Sequence, residues 1–267
     1  MMKKIFFILS FIFIIIGCEG GNGSNSIEFT KITKSNFKNV IKAYNDFKIL
    51  TLINILWYGR YITLNTTQGE HSCKDGGNYS IKDISSDKKK IVFKNCKLDN
   101  DENTNGILYI TKNSNTLEFN NIKDNFTSID ITLNGTMQFK TSGSNINEIN
   151  TNFSTIDLMY KDKGYALHAK NLKYQANLQN NTYKRNLDGL ISSSDTKWLK
   201  ITTIKTLKTN SNDVCPHEGN VKIKGMNNYI NLLFTSTFNV DIYFNGSSNI
   251  LHSYNSCKDL PKTFIIK

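Results

Sequence analysis

From about residue 61 onward, apolar and polar residues alternate at every second position, and this limits most of the chain to extended structure. Successive side chains of a strand point to opposite faces, so a two-residue period marks a strand with one face on a core and one in water. Ile129, Ile131, Leu133, Met137 and Phe139 share one parity. Ile156, Leu158 and Tyr160 form a second set, and Tyr165 and Leu167 follow the turn Lys161-Asp162-Lys163-Gly164. Leu172, Tyr174, Ala176 and Leu178 alternate again, as do Phe238, Val240, Ile242 and Phe244 before Asn245-Gly246. Only Pro216 and Pro261 are present to interrupt such runs. The expected fold is mainly β, an antiparallel meander sheet (open, or half-barrel or sandwich-like) with one N-terminal helix, in a single β-rich domain over residues 31–267.

Gly106, Gly135, Gly164, Gly189, Gly219 and Gly246 recur at intervals of 25 to 30 residues. Four of them follow Asn or Asp, the pair that favours tight hairpin turns, so each interval reads as two long strands with their turns. Gly135 lies on the apolar parity and fits a mid-strand position instead. Upstream, Phe37, Val40, Ile41, Tyr44, Phe47 and then Leu50 or Thr51 recur at three- and four-residue steps. That spacing predicts a helix packed on the sheet, with Ser35 as its N-cap. Residues 52–57 are apolar all round and either extend the helix or open a strand, before Gly59 ends the element.

The first 17 residues read as a targeting segment. Lys3 and Lys4 precede an apolar run over residues 5–16 broken only by Ser10. The run has the length of a signal-peptide core and falls short of the ~20 residues that span a bilayer as a helix. It ends in Ile15-Ile16-Gly17-Cys18, which resembles the lipobox of bacterial lipoproteins. The resemblance implies cleavage between Gly17 and Cys18, a diacylglycerol on the Cys18 thiol and acylation of the new amine. Several chains are needed, because one acyl chain anchors only marginally at roughly 0.8 kcal/mol per buried methylene. Residues 18–30, rich in Gly, Ser and Asn at first, have the composition of a flexible tether. The expected address is the cell envelope, lipid-anchored, with the outer membrane favoured, on its periplasmic face or surface.

With Cys18 assigned to lipid, Cys73, Cys96, Cys215 and Cys257 remain. An even number in an oxidising compartment reads as a disulfide framework with three possible connectivities. The sequence-local pairing, Cys73–Cys96 and Cys215–Cys257, is favoured. Residues 73–82 can be laid on residues 215–224 with Cys, Gly, Asn, Ile and Lys at the same offsets, and each copy is followed later by Asn95-Cys96 or Ser256-Cys257. The two Cys-turn-strand modules, over residues 70–140 and 212–260, resemble segments of uncharacterised proteobacterial lipoproteins, a group that implies no activity. His71 and His217 each lie two residues from a cysteine, the ligand types of a zinc site, but without the usual Cys-x2–4-Cys spacing. No cofactor or metal is expected.

The formal charge is +11, nearly all of it lysine, since Arg60 and Arg185 are the only arginines. A basic exported chain suits anionic lipid headgroups or lipopolysaccharide phosphates, although scattered lysines among many Asn and Ile also match an AT-rich coding bias. Lys88-Lys89-Lys90 reads as a solvated turn, and nucleic acid is not an expected partner. The sequence carries no Gly-x-Ser-x-Gly elbow, His-Glu-x-x-His, phosphate loop or dinucleotide fingerprint. Its four histidines are dispersed, with His168 and His252 expected toward solvent. The expectation is therefore a non-enzymatic structural or binding module held to the membrane. The alternative is a carrier of lipid or another hydrophobic ligand, which requires a roomy apolar cavity.

Overall fold

The computed structural model describes residues 27–58, 67–98, 102–142, 145–211, 213 and 215–262. Gly17, Cys18, the signal segment and most of the tether lie outside the described residues. Helix α1 (Phe37–Tyr58) precedes fourteen strands. These are β1 (Gly69–Ser72), β2 (Asn78–Asp83), β3 (Lys88–Cys96), β4 (Glu102–Thr111), β5 (Thr116–Phe126), β6 (Ile129–Ser142) and β7 (Asn145–Tyr160). They continue with β8 (Tyr165–Gln179), β9 (Thr182–Ser193), β10 (Thr196–Asn210), β11 (Glu218–Lys224), β12 (Tyr229–Phe234), β13 (Val240–Phe244) and β14 (Ile250–Tyr254). Each pairs antiparallel with its sequence neighbours in one open meander, as the alternation requires.

The recurring glycines form a crease across this sheet. At Gly135 of β6 the backbone has φ 135°, and a Cβ would collide with the Asn152 carbonyl oxygen of β7. Gly106, Gly189 and Gly219 crowd β5, β8 and β10 in the same way. The strands they face carry register shifts, between Phe119 and Ile122 in β5 and between Lys170 and Lys173 in β8. Asn95, Asn121 and Asn171 take left-handed conformations on this row. These are β-bulges, each an extra residue that flips the inward parity and bends the strand. That is why Phe153 and Ile156 are both buried although their numbers differ in parity. The side chain before the glycine caps the bulge: Asn95 N–H donates to Asn105 Oδ1 (2.9 Å) and Asn121 N–H to Asn134 Oδ1 (2.7 Å). Asn105-Gly106, Asn134-Gly135 and Asp188-Gly189 are therefore mid-strand, not hairpin turns, because close backbone approach also demands glycine. Of the four periodic pairs Asn245-Gly246 alone sits in a turn between strands, and Gly164, with φ 55°, closes the 3-10 turn before β8.

One apolar face runs from β2 to β13 in a single core, from Tyr79 and Ile81 to Val240 and Ile242. Laid flat at about 4.8 Å per strand, those strands span roughly 50 Å, several times the 10–12 Å width of a helix. One helix cannot cover that, so the creased sheet curls its apolar face onto itself. The inward face of α1 (Val40, Ile41, Ala43, Tyr44 and Phe47, each 1% exposed or less) packs toward β9 and β10.

The helix continues through residues 52–57 to Tyr58. Its start is fixed by a reciprocal pair, not by Ser35. Thr33 N–H donates to Asn36 Oδ1 (2.8 Å) and Asn36 N–H to Thr33 Oγ1 (3.2 Å), with Ser35 bonded only to the Thr33 hydroxyl. The fold also begins earlier than the tether assignment implies, since Phe29 bridges Trp198. Lys88, Lys89 and Lys90 open β3, where Lys88 reaches across β4 to pair with Glu118 of β5 and Lys89 pairs with Asp83 of the neighbouring β2. Phe238 lies in the turn before β13 with φ 64°, excluded from the strand by that backbone. His252 pairs with Ile242 on the inward parity and meets Phe37 at a tilt and Tyr254 edge-on, whereas His168 faces outward beside Asp157.

Candidate functional site

The disulfides are Cys73–Cys96 and Cys215–Cys257, the sequence-local pairs. The first ties the β1–β2 turn to the end of the adjacent β3. The second joins the segment before β11 to the one after β14, bringing to a Cα–Cα distance of 5.5 Å two ends that lie three strands apart. The modules thus share a Cys-turn-strand start but close differently. Both pairs consume the thiols that a His2Cys2 zinc site needs. His71 instead stacks on Tyr79, and its Nε2 lies 2.8 Å from the Thr67 carbonyl. Among the described residues no group of three or more His, Cys, Asp or Glu could hold a metal, and no helix is long and apolar enough to cross a membrane.

The chemistry gathers where the chain leaving the tether joins the sheet. Thr30 N–H donates to the Trp198 carbonyl, Trp198 N–H to the Glu28 carbonyl and Met226 N–H to the Thr30 carbonyl. The N-terminal segment therefore takes the place beside β10 that β11 vacates by ending at Lys224. Around this joint lies an open cleft of about 390 Å³ lined by Ile27, Lys170, Ser192 and Trp198. Ile27 and Met226 are 39% and 51% exposed, apolar groups in water beside a half-buried Trp198.

The outward parity of β8 to β12 surrounds the cleft with lysine. One cross-strand row runs Lys170, Leu190, Lys200, Lys224, Tyr229, and the next runs Lys173, Asp188, Thr202, Lys222, Asn231. Lys170 Nζ stands 4.9 Å from the centre of the Trp198 ring, and Lys222 Nζ stands 3.8 Å from that of Tyr229. Lys200 faces Lys224 directly, a like-charge pair that opposes sheet stability. Among the described residues Lys170, Lys173, Lys200, Lys222 and Lys224 make no ion pair, although neighbouring lysines do. Lys197 bonds Glu28, and Lys205 and Lys208 share Glu218 at 2.7 and 2.8 Å. Hydrogen bonds from those two lysines hold the Glu218 carboxyl at about 2. Glu28 and Glu218 are thus already engaged, Asp188 of the second row accepts the Thr203 N–H (3.2 Å), and the five lysines are left without an ion pair among the described residues.

Sequence reading saw these lysines only as scattered charge. They come from β8, β10 and β11, and only strand register makes them neighbours. Trp198 was the available signal, a large aromatic on the polar parity of its strand.

Compared with known proteins, the chain matches no family model, no curated protein and no solved structure.

Proposed function

We propose that this chain is a lipid-anchored envelope lipoprotein whose β domain is a non-enzymatic binding module, docked on an anionic bilayer surface through the lysine and aromatic face around Trp198. The observation that carries this reading is the convergence of five unpaired lysines with Ile27, Met226 and Trp198 at the point where the chain from Cys18 joins the fold. Fully extended, the residues between Cys18 and Ile27 reach about 30 Å, so the tether keeps this face near the bilayer. Each lysine near an anionic surface contributes about 1 kcal/mol, screened by salt. Trp198 and Tyr229 suit the headgroup region, where one side of a ring is apolar and the other wet. The favoured address is the outer membrane, on its periplasmic face or surface.

The filled apolar face weighs against a carrier of hydrophobic ligands. Most inward apolar side chains from Tyr79 to Ile242 are 9% exposed or less, with Phe126, Ile129, Ile149 and Ala176 partly buried against them, so this face is largely filled by its own side chains. The reading is tested with a Cys18→Ala chain and vesicle flotation. Binding to vesicles of phosphatidylglycerol, weak binding to phosphatidylcholine, and loss of binding on Lys200→Glu with Lys224→Glu are expected. Equal binding to both lipids, or binding indifferent to the double reversal, refutes the docking face.

A further inference from the structure

A second cationic cluster lies on the opposite, apolar face. Arg185 of β9 occupies an inward position, opposite Ala176 and Leu207. Its Nη2 donates to Thr209 Oγ1, and its Nε is buried with no partner. Tyr44 of α1 is 0% exposed, and its buried hydroxyl has no partner either. It lies within electrostatic reach of Arg185 and Tyr174. Lys48 is four residues further along α1, on the same face as Tyr44. Asn45 Nδ2 donates to the carbonyls of Leu260 (3.4 Å) and Pro261 (3.3 Å), which holds the C-terminal segment and Lys262 against this part of the helix. Burial, then Arg185 and Lys262, pull the Lys48 ammonium down to about 8. None of the three cations pairs with a carboxylate among the described residues, and residues 49–66 contain no Asp or Glu.

We propose that Lys48, Arg185, Lys262 and the Tyr44 hydroxyl form a binding site for a phosphate-type oxyanion. Lys48 and Arg185 are half-buried and Lys262 is exposed, while the Arg185 Nε and the Tyr44 hydroxyl are buried donors without partners, an arrangement that is costly unless a counter-charge joins it. A phosphate fits the donor set. Its several acceptor oxygens match the planar guanidinium fork, the ammonium groups and one hydroxyl, and such charge-assisted bonds are the strong ones. Burial holds the Tyr44 phenol well above its usual range, so it remains a donor at neutral pH. The same chemistry is presented by free phosphate and by a lipid phosphomonoester. The site is independent of the outward lysine face, which lies on the other side of the sheet.

The test is isothermal titration of the full detergent-solubilised chain at pH 7, where Lys48 is charged. One arm uses inorganic phosphate against chloride at equal ionic strength, and the other uses short-chain phosphatidic acid. Saturable one-site binding is expected in at least one arm. Lys48→Met and Lys262→Ala should each weaken it about tenfold, while Lys94→Ala, at an exposed lysine of β3 outside both clusters, leaves it unchanged. Lys262 is exposed, so its variant keeps the fold even if Lys48→Met does not. Binding in the phosphatidic acid arm alone assigns a headgroup, and binding in the inorganic arm assigns the free ion. No saturable binding in either arm, or wild-type affinity in Lys262→Ala, overturns the site.

Discussion

Single residues set the curvature of this sheet. Gly135→Ala places a methyl against a neighbouring backbone oxygen at a φ that L residues rarely adopt, and is expected to cost about 3 kcal/mol or more. Gly164 is left-handed too, but a Cβ there meets nothing within 4 Å, so Gly164→Ala should cost only about 1 kcal/mol. Urea unfolding of the two variants separates a crease glycine from a turn glycine. Similar losses would remove the crease as the reason for the spacing. Lys48 makes a different mark. Its folded value, about 8, lies below the unfolded 10.5, so the unfolded chain binds more protons between them and stability rises with pH across that window. Arg185 and Lys262 lie within its electrostatic reach, Tyr44 and Tyr174 lie within that of Arg185, and burial holds both phenols neutral up to higher pH, Tyr174 to about 12. Melting curves in phosphate-free buffer from pH 8 to 10 should show this rise in the wild type and lose it in Lys48→Met.

Elements explain what could be read from the sequence and what could not. The strands were legible because one face is buried nearly everywhere, and the breaks between apolar sets coincide with bulges that reset parity, as between Phe153 and Ile156. The Asn-Gly pairs misled because hairpin turns and bulges both need positive φ, and only cross-strand neighbours tell them apart. His252 follows the inward parity of an edge strand, where Phe37 of the helix meets it, a long-range contact invisible to local pattern. The site was the least legible feature, since Lys200 and Lys224 become neighbours only through register. The disulfides were legible by proximity, and their loops predict their weight. Removing Cys73–Cys96, with sequence separation 23, should cost about 3.5 kcal/mol. Removing Cys215–Cys257, with separation 42, should cost about 4 kcal/mol. Loss of the second should also lower hydrogen-exchange protection in α1, because it anchors the segment that Asn45 grips.

At the scale of the whole molecule, the two faces of one sheet divide the work. The inward face closes on itself around α1, and the outward face concentrates free lysines beside the place where the tether begins. On the proposed reading, membrane residence has two parts, a lipid that holds regardless of salt and a cationic face that salt weakens. Raising salt from 0.05 to 0.5 M shortens the screening length to a few ångströms. It should release the Cys18→Ala chain from anionic vesicles while the lipidated chain stays bound.

Membrane anchoring rests on lipid at Cys18, and metabolic labelling addresses that most directly. Wild-type and Cys18→Ala chains are expressed in bacteria fed labelled palmitate and isolated by affinity capture. Label in the wild type and none in the variant is expected, with the variant retained at the size of the uncleaved precursor. Label that persists in Cys18→Ala, or a wild-type chain that never acquires it, removes the anchor and with it the reason for the lysine face to meet a bilayer.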